Sequence, residues 1–425
     1  MRFRNPIGNA GAAGVSSFDH SNLFRISCFE FRISTGRGYP DRVTNDPFVP
    51  WSWSRSEWER RAEELAQPVY RGRQIFDGIH ARRATSYAEM TELSRKDRDA
   101  WDAAVPLGLP EIARRDVSVD GSVKYGLRFA DGALVEAVFM PRGEEEAFPA
   151  SEFEDARASE GLAGGRAISS DPARATICLS SQTGCAVDCR FCVTGRLGAG
   201  RNLSAGEIVA QFLAVAREHR ATTFAIVFMG MGEPMLNLDA VEGALDVFFE
   251  TISPRRVTVS TAGFPDGIRR VGARAKQPNL AVSINAADPR TREAIMPVTR
   301  AHPLSAVVAA MRAFPLTHRR RITAEYVLLE GVNDSAEDAK KLARLLRGIP
   351  VKINVIPFNP DPRYLPEFRR PSEEAVERFV DTLARERYTV TVRRSKGPDA
   401  SAACGQLKGR ETDARKKAPA QQYTK

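Results

Sequence analysis

Apolar positions recur at helical spacing between Trp58 and Trp101: Trp58, Ala62, Leu65 and Ala66, then Ile75, Phe76, Ile79 and His80, with breaks at Pro68 and Gly72. A three-to-four-residue repeat lines such side chains along one face of a helix, so the pattern predicts a small helical domain over residues 51–108. Between residues 117 and 140 the period changes to two, with turn signals at Asp120-Gly121 and Asp131-Gly132. That is the signature of a β-meander, expected within a linker over residues 109–142. From Ala175 onward, short apolar runs alternate with helical stretches, and strands are expected at 176–179, 224–229, 257–260, 280–284, 322–328 and 353–357, with a seventh candidate at 388–392. Six or more strand-then-helix units imply an α/β fold with a parallel sheet and helices packed outside. An open doubly wound sheet and a full or partial barrel both fit, and both place ligands at the C-terminal ends of the strands.

Composition narrows this picture. With 425 residues, 43% of them apolar and 27% charged, the chain can bury one large core and a smaller one. No apolar run approaches the roughly 18 residues of a membrane-spanning helix, and the first thirty residues lack the layout of a secretory signal, so a soluble, cytoplasmic protein is expected. Residues 1–50 read as a flexible extension or a mis-called start, although the absence of acids before Asp19 beside Arg2, Arg4 and Arg25 leaves an organelle transit peptide open. The net charge of +9 is uneven: residues 143–172 hold eight acids and two Arg, so that segment carries −6 and the remainder +15. Residues 143–173 therefore read as an acidic, disordered insertion. A basic body attracts polyanions such as nucleic acid, or serves solubility alone. Arg71, Arg73, Arg82 and Arg83 pose the same choice locally, between phosphate contacts and a solvated helix face.

The six cysteines, Cys28, Cys178, Cys185, Cys189, Cys192 and Cys404, are too few and too clustered for a disulfide framework. Three of them form Cys185-Ala-Val-Asp-Cys189-Arg-Phe-Cys192 directly after the first strand of the repeat. Three thiolates on one loop can converge on a metal centre. A structural zinc ion takes four protein ligands, and no fourth Cys or His lies nearby on that loop, whereas a cubane held by three cysteines leaves one iron open. Unligated buried cysteines and zinc remain the competing readings. The spacing resembles the signature of radical S-adenosylmethionine (SAM) enzymes, in which SAM chelates the open iron of a [4Fe-4S] cluster and is split to a 5′-deoxyadenosyl radical.

Other strand ends carry suitable polar groups: Met229-Gly-Met-Gly232-Glu233-Pro, Ser260-Thr261-Ala-Gly263, Ser283-Ile284-Asn285-Ala286 and Ile356-Pro-Phe-Asn359-Pro. Hydroxyls, amides and a carboxylate at a barrel mouth suit a ribose, an adenine edge or an amino acid. The first of these strand ends, Met229-Gly-Met-Gly-Glu-Pro, together with Cys178-Leu-Ser-Ser-Gln-Thr-Gly-Cys185, Arg201-Asn-Leu-Ser and Ala-Ala-Cys404-Gly-Gln-Leu, resembles the RlmN/Cfr family, radical SAM enzymes that methylate adenine in large-subunit ribosomal RNA. The resemblance runs from about residue 70 to residue 407.

It implies a partial (β/α)6 TIM-type radical SAM barrel over residues 174–400, a helical RNA-binding accessory domain before it, and a C-terminal segment, 401–425, with a methyl-carrying cysteine and a basic tail. It implies cluster ligands Cys185, Cys189 and Cys192, and SAM contacts at Gly232, Glu233, Ser260, Ser283, Ile284, Asn285 and Asn359. Two SAM are used per turnover. Cys404 takes a methyl group from the first, hydrogen abstraction by the second gives a radical that adds to C2 of adenine, and the RNA becomes attached to the protein. Glu136 then matches the proton acceptor, and Cys178 the thiol that releases the product by forming a transient disulfide with Cys404. The implied partners are ribosomal RNA, transfer RNA as a further substrate class, and an electron donor such as flavodoxin or ferredoxin; a monomer without membrane attachment is expected.

The chain departs from the family in three places. Asn285 stands where His is usual, Pro398-Asp-Ala-Ser-Ala-Ala-Cys404 replaces an Asp-Ile-Asp-Ala-Ala-Cys run, and the acidic insertion separates Glu136 from Cys178. Methylation at C8, radical chemistry on a small molecule, and an RNA-binding iron–sulfur protein without catalysis are the alternatives to C2 methylation.

Overall fold

The computed structural model describes residues 48–141, 174–219, 221, 223–317, 319–393 and 405–408, all within the unit Asn45–Lys425. The N-terminal extension up to residue 47, the acidic insertion, Cys404 and the tail beyond residue 408 lie outside the described residues.

Helices α1 (Arg55–Glu64), α2 (Val69–His80) and α3 (Arg95–Ala104) come first. Ser54 and Glu57 close a capping box at the start of α1, an arrangement that contributes about 1 kcal/mol. The helices meet over Trp58 and Trp101, both fully enclosed, with ring centroids 5.9 Å apart. The arginines of this region are engaged within the protein: Arg71 pairs with Asp97 at 3.2 Å, Arg73 with Glu59, and Arg82 with Glu92. Arg83 donates to the backbone oxygens of Ala216, His219 and Ala221 and covers the Phe224 ring, so it ties the helices to the sheet.

The sheet has ten strands in sequence order. β1 (Glu111–Val117), β2 (Val123–Arg128) and β3 (Leu134–Pro141) pair antiparallel, and β3 pairs antiparallel with β4 (Arg174–Cys178). Parallel pairing then runs through β5 (Thr223–Phe228), β6 (Val257–Thr261), β7 (Asn279–Ser283), β8 (Ile322–Leu328), β9 (Val351–Pro357) and β10 (Val390–Val392). The crossovers carry α4 (Val193–Arg196), α5 (Ala205–Ala216), α6 (Leu238–Phe248), α7 (Pro265–Gly272), α8 (Pro289–Ile295), α9 (Leu304–Ala313), α10 (Ala336–Leu346) and α11 (Glu373–Arg385). A doubly wound sheet reverses its strand order; this one never does, and crossovers of constant hand gather the helices on one face and curl the sheet into a partial barrel.

Burial alternates strictly along β5 and β6. Phe224 meets Phe212 of α5 edge-on at 5.6 Å, so the buried positions face the helices. The opposite, concave face bears half-buried Thr176, Thr258, Ser260, Ser283 and Asn354. It is a polar lumen, unlike the dry interior of a closed eight-stranded barrel. The strands from β4 onward lie within two residues of the spans that the short apolar runs mark. β1 lies before the period-two pattern of residues 117–140, because as a largely exposed edge strand with a register shift at Ile112/Arg114 it has no apolar face to alternate.

Candidate functional site

The loop after β4 is held by backbone bonds at every turn. Leu179 N donates to Val227 O (2.9 Å), Ser181 N to Met231 O (2.8 Å), Cys185 N to Gly198 O (2.9 Å) and Cys192 N to Cys189 O (3.0 Å). Val187 and Phe191 anchor it in an apolar cluster with Ile295, Met296 and Phe358, against which Cys185 and Cys189 also pack. Burial pushes the Cys185 thiol up to about 12, with Cys192 and Glu233 adding to the effect, and pushes Cys189 well above its ordinary value. Thiolates so placed call for a cationic group among them. Among the described residues no three His, Cys, Asp or Glu side chains converge on a single metal ion; a cubane, which takes each thiolate on a different iron, does not require that convergence. The donor set therefore fits an iron–sulfur cluster.

The ends of β5, β6, β7 and β9 surround this loop. Gly232 has φ 97°, and a Cβ there would sit 2.6 Å from Gln182 Cβ; only glycine lets the Gly-Glu turn lie this close to the cysteine loop. Glu233 is buried, and its carboxylate accepts from Ala262 N at 2.8 Å and Met235 N at 3.0 Å. Burial pushes it up to about 7 against the pull of those donors and of the Thr261 hydroxyl. Ser260 and Ser283 sit half-buried on the concave face, and Asn359 closes the end of β9 nearly enclosed. Ile284 is fully enclosed, with its N–H on Glu325 O at 3.0 Å.

Asn285, expected to contact SAM, lies just past the end of β7 and is buried. It takes the left-handed conformation (φ 55°), its Oδ1 accepts from Val327 N at 2.9 Å, and its Nδ2 points at Met296 Sδ at 3.2 Å. Both ends of the amide serve the β7–β8 connection.

The outer residues meet on the other side of the loop. Cys178, buried at the end of β4, is in register with Val138 of β3 and Val227 of β5. Two positions before Val138 stands Glu136, also buried, whose carbonyl accepts from Ser180 Oγ at 2.6 Å. Its carboxylate lies 3.5 Å from the enclosed Lys124 ammonium and accepts from Lys408 N at 2.8 Å. Lys408 belongs to a short segment seated against α4, which begins directly after Cys192. Val193 N donates to Gly405 O, and Thr194 Oγ1 to Leu407 O, both at 2.7 Å. Cys404 lies outside the described residues; Gly405, the next residue in sequence, is bonded here. Hydrogen bonds thus link residues 405–408 to α4 after the cysteine loop and to Glu136 on the strand that pairs with β4, which ends at Cys178.

Sequence reasoning missed Lys124 and Arg292. Both are enclosed charges, and a Lys in a strand or an Arg in a helix reads as a solvated residue unless its partners are known.

The sequence model of the Radical SAM superfamily matches residues 179–346. A dual-specificity RNA methyltransferase RlmN from Syntrophobacter fumaroxidans is 40% identical over 368 residues, covering 85% of this chain and 98% of its own. One of the same name from Geobacter sulfurreducens is 44% identical over 361 residues, covering 84% of this chain and 91% of its own. Among solved structures, a radical SAM methyltransferase from Sphaerobacter thermophilus superposes with TM-score 0.74 at 37% identity, covering 85% of this chain and 99% of that one.

Proposed function

The chain belongs to the RlmN dual-specificity RNA methyltransferases of the radical SAM superfamily, and from that premise we propose that it methylates C2 of an adenine in large-subunit ribosomal RNA and in transfer RNA. One observation carries the reading: residues 405–408, which follow Cys404, bridge α4, at the edge of the cysteine loop, to the carboxylate of Glu136 on β3, the strand that pairs with β4 and Cys178.

Cys185, Cys189 and Cys192 hold the cluster, and the Gly232-Glu233 turn with Ser260, Ser283, Ile284, Asn285 and Asn359 forms the SAM-binding rim. When bound, the cluster and SAM supply one-electron cleavage of SAM and with it a hydrogen-abstracting radical. The remaining chemistry belongs to the protein's own side chains. The Cys404 thiolate takes a methyl group from SAM by displacement at carbon, forming an S–CH3 bond and releasing the thioether product. Once the resulting carbon radical is joined to adenine C2, Glu136 accepts the ring proton, and the surplus electron of the adduct would return to the cluster. The Cys178 thiolate attacks Cys404 Sγ, a disulfide forms, and the electron pair of the broken C–S bond stays on the exocyclic carbon, which takes a proton to become the methyl group. A thiol reductant restores both cysteines.

The neighbours of Glu136 suit this role, since the Lys124 ammonium and the Lys408 N–H hold the carboxylate in one orientation. No helix among the described residues is long and apolar enough to cross a membrane, and the enzyme acts as a cytoplasmic monomer reduced by a flavodoxin or ferredoxin. The test is anaerobic incubation of the reconstituted protein with SAM, reductant and unmodified RNA, followed by nucleoside mass spectrometry. 2-Methyladenosine is expected; 8-methyladenosine instead would replace the position, and SAM cleavage without either would replace the substrate.

A further inference from the structure

Arg292 on α8 is fully enclosed, and its guanidinium is spent on oxygens without net charge. Nε donates to Ile284 O at 3.0 Å, Nη2 to Ala262 O at 2.6 Å and Ser283 O at 3.2 Å, and Nη1 to Thr299 Oγ1 at 2.6 Å. Among the described residues no carboxylate pairs with it. A buried cation with hydrogen bonds but no counter-charge is a costly arrangement, because neutral acceptors replace only part of the lost hydration.

The surroundings identify the missing charge. The last turn of α8 is bonded to the cysteine loop, with Arg190 N on Ile295 O at 2.9 Å. The oxygen that Nη2 meets at 2.6 Å belongs to Ala262, a member of the apolar cluster against which Cys185 and Cys189 pack. Gly263, at φ 108°, leaves room for the guanidinium, since a Cβ there would meet Nη2 at 3.2 Å.

We propose that Arg292 is the buried counter-charge of the cysteine-held cluster, favouring its reduced form while fastening the ends of β6 and β7 on which SAM rests. The proposal rests on the reading that Cys185, Cys189 and Cys192 hold an iron–sulfur cubane. A cubane core of formal charge two plus, bound by three thiolates, has one net negative charge; one electron from a low-potential donor makes it two, with no atom transferred. A fixed positive charge nearby attracts the doubly negative form more strongly, so the reduction equilibrium moves toward the reduced cluster.

The experiment is an anaerobic redox titration, followed by electron paramagnetic resonance, of the full-length reconstituted protein and its R292M, R292K and T299V variants. R292M is expected to reduce at least tenfold less favourably, a potential lower by about 59 mV for one electron. R292K, which keeps the charge but not the fork, stays near the wild type. T299V removes one hydrogen-bond partner of the same guanidinium without touching charge and leaves the potential in place. R292Q, neutral yet able to donate, takes the place of R292M if that variant does not fold. Equal potentials for wild type and the neutral variants, or a T299V shift as large as theirs, would overturn the proposal. Iron and sulfide analysis of the wild type keeps the two readings apart: no cluster in the wild type removes the premise, whereas a cluster with an unmoved potential removes only the role of Arg292.

Discussion

If the segment after Cys404 must dock on α4 for methyl transfer, then weakening that dock should slow the reaction without emptying the cluster site. Thr194→Val is the smallest such perturbation. Both Thr194 and Leu407 are buried, and the Thr194 hydroxyl donates to the Leu407 carbonyl at 2.7 Å. Valine keeps the shape and leaves that carbonyl enclosed without its donor, a loss of about 1–3 kcal/mol. At a factor of ten per 1.4 kcal/mol, the docked state becomes about 5- to 150-fold less favoured. Amide hydrogen exchange followed by mass spectrometry should accelerate across residues 405–408 by up to that factor. Single-turnover RNA methylation should fall by no more than the same factor, with iron content and cluster absorbance unchanged. Gly405→Ala offers an independent route to the same end, since Gly405 has φ 83° and a side chain in that region costs about 1–2 kcal/mol. Methylation that falls while exchange of 405–408 stays at the wild-type rate would refute the docking argument.

Three further perturbations address other parts of the site and scaffold. Cys185→Ser, Cys189→Ser or Cys192→Ser should each abolish iron retention and SAM cleavage, while Cys178→Ala retains both; iron analysis and product chromatography check this. Lys124→Met leaves Glu136 buried without its cation and should cost about 3–5 kcal/mol in a urea titration, with Lys124→Met/Glu136→Gln regaining part of the loss; additive effects of the two changes would contradict a coupled pair. His80, whose Nε2 is enclosed without a hydrogen-bond partner, is held at about 3 rather than 6.5 by burial and by Arg55. The unfolded chain therefore binds a proton that the folded one refuses, so stability falls as pH drops below about 6.5. His80→Gln should flatten that slope between pH 7 and 5, and unfolding midpoints across the range measure it.

The parallel strands were legible because burial between the helices and the sheet's concave face makes each a short apolar run, set off by the helical stretches between them. The cysteine loop was legible because its ligands are local in sequence. Pairings over long separations were hidden. Arg71, Arg73, Arg82 and Arg83, in and just after α2, read equally as phosphate contacts or a solvated face, and only the fold shows Asp97, Glu59 and Glu92 paired with the first three. The bond that fixes the Asn285 amide, from Val327 N across 42 residues, is likewise invisible in the sequence. Lys124 and Arg292 carry no sequence signal, since only the fold determines that a strand lysine faces Glu136 and that a helix arginine reaches two strand ends.

The account turns on a covalent link between Cys404 and the RNA that Cys178 resolves. The direct measurement is mass spectrometry of Cys178→Ala after anaerobic turnover with RNA, before and after nuclease digestion. The account predicts an adenine-containing adduct on the peptide bearing Cys404, absent from Cys404→Ala and from the resolved wild type. Wild-type yields of 2-methyladenosine from Cys178→Ala, with an unmodified Cys404 peptide, would contradict it.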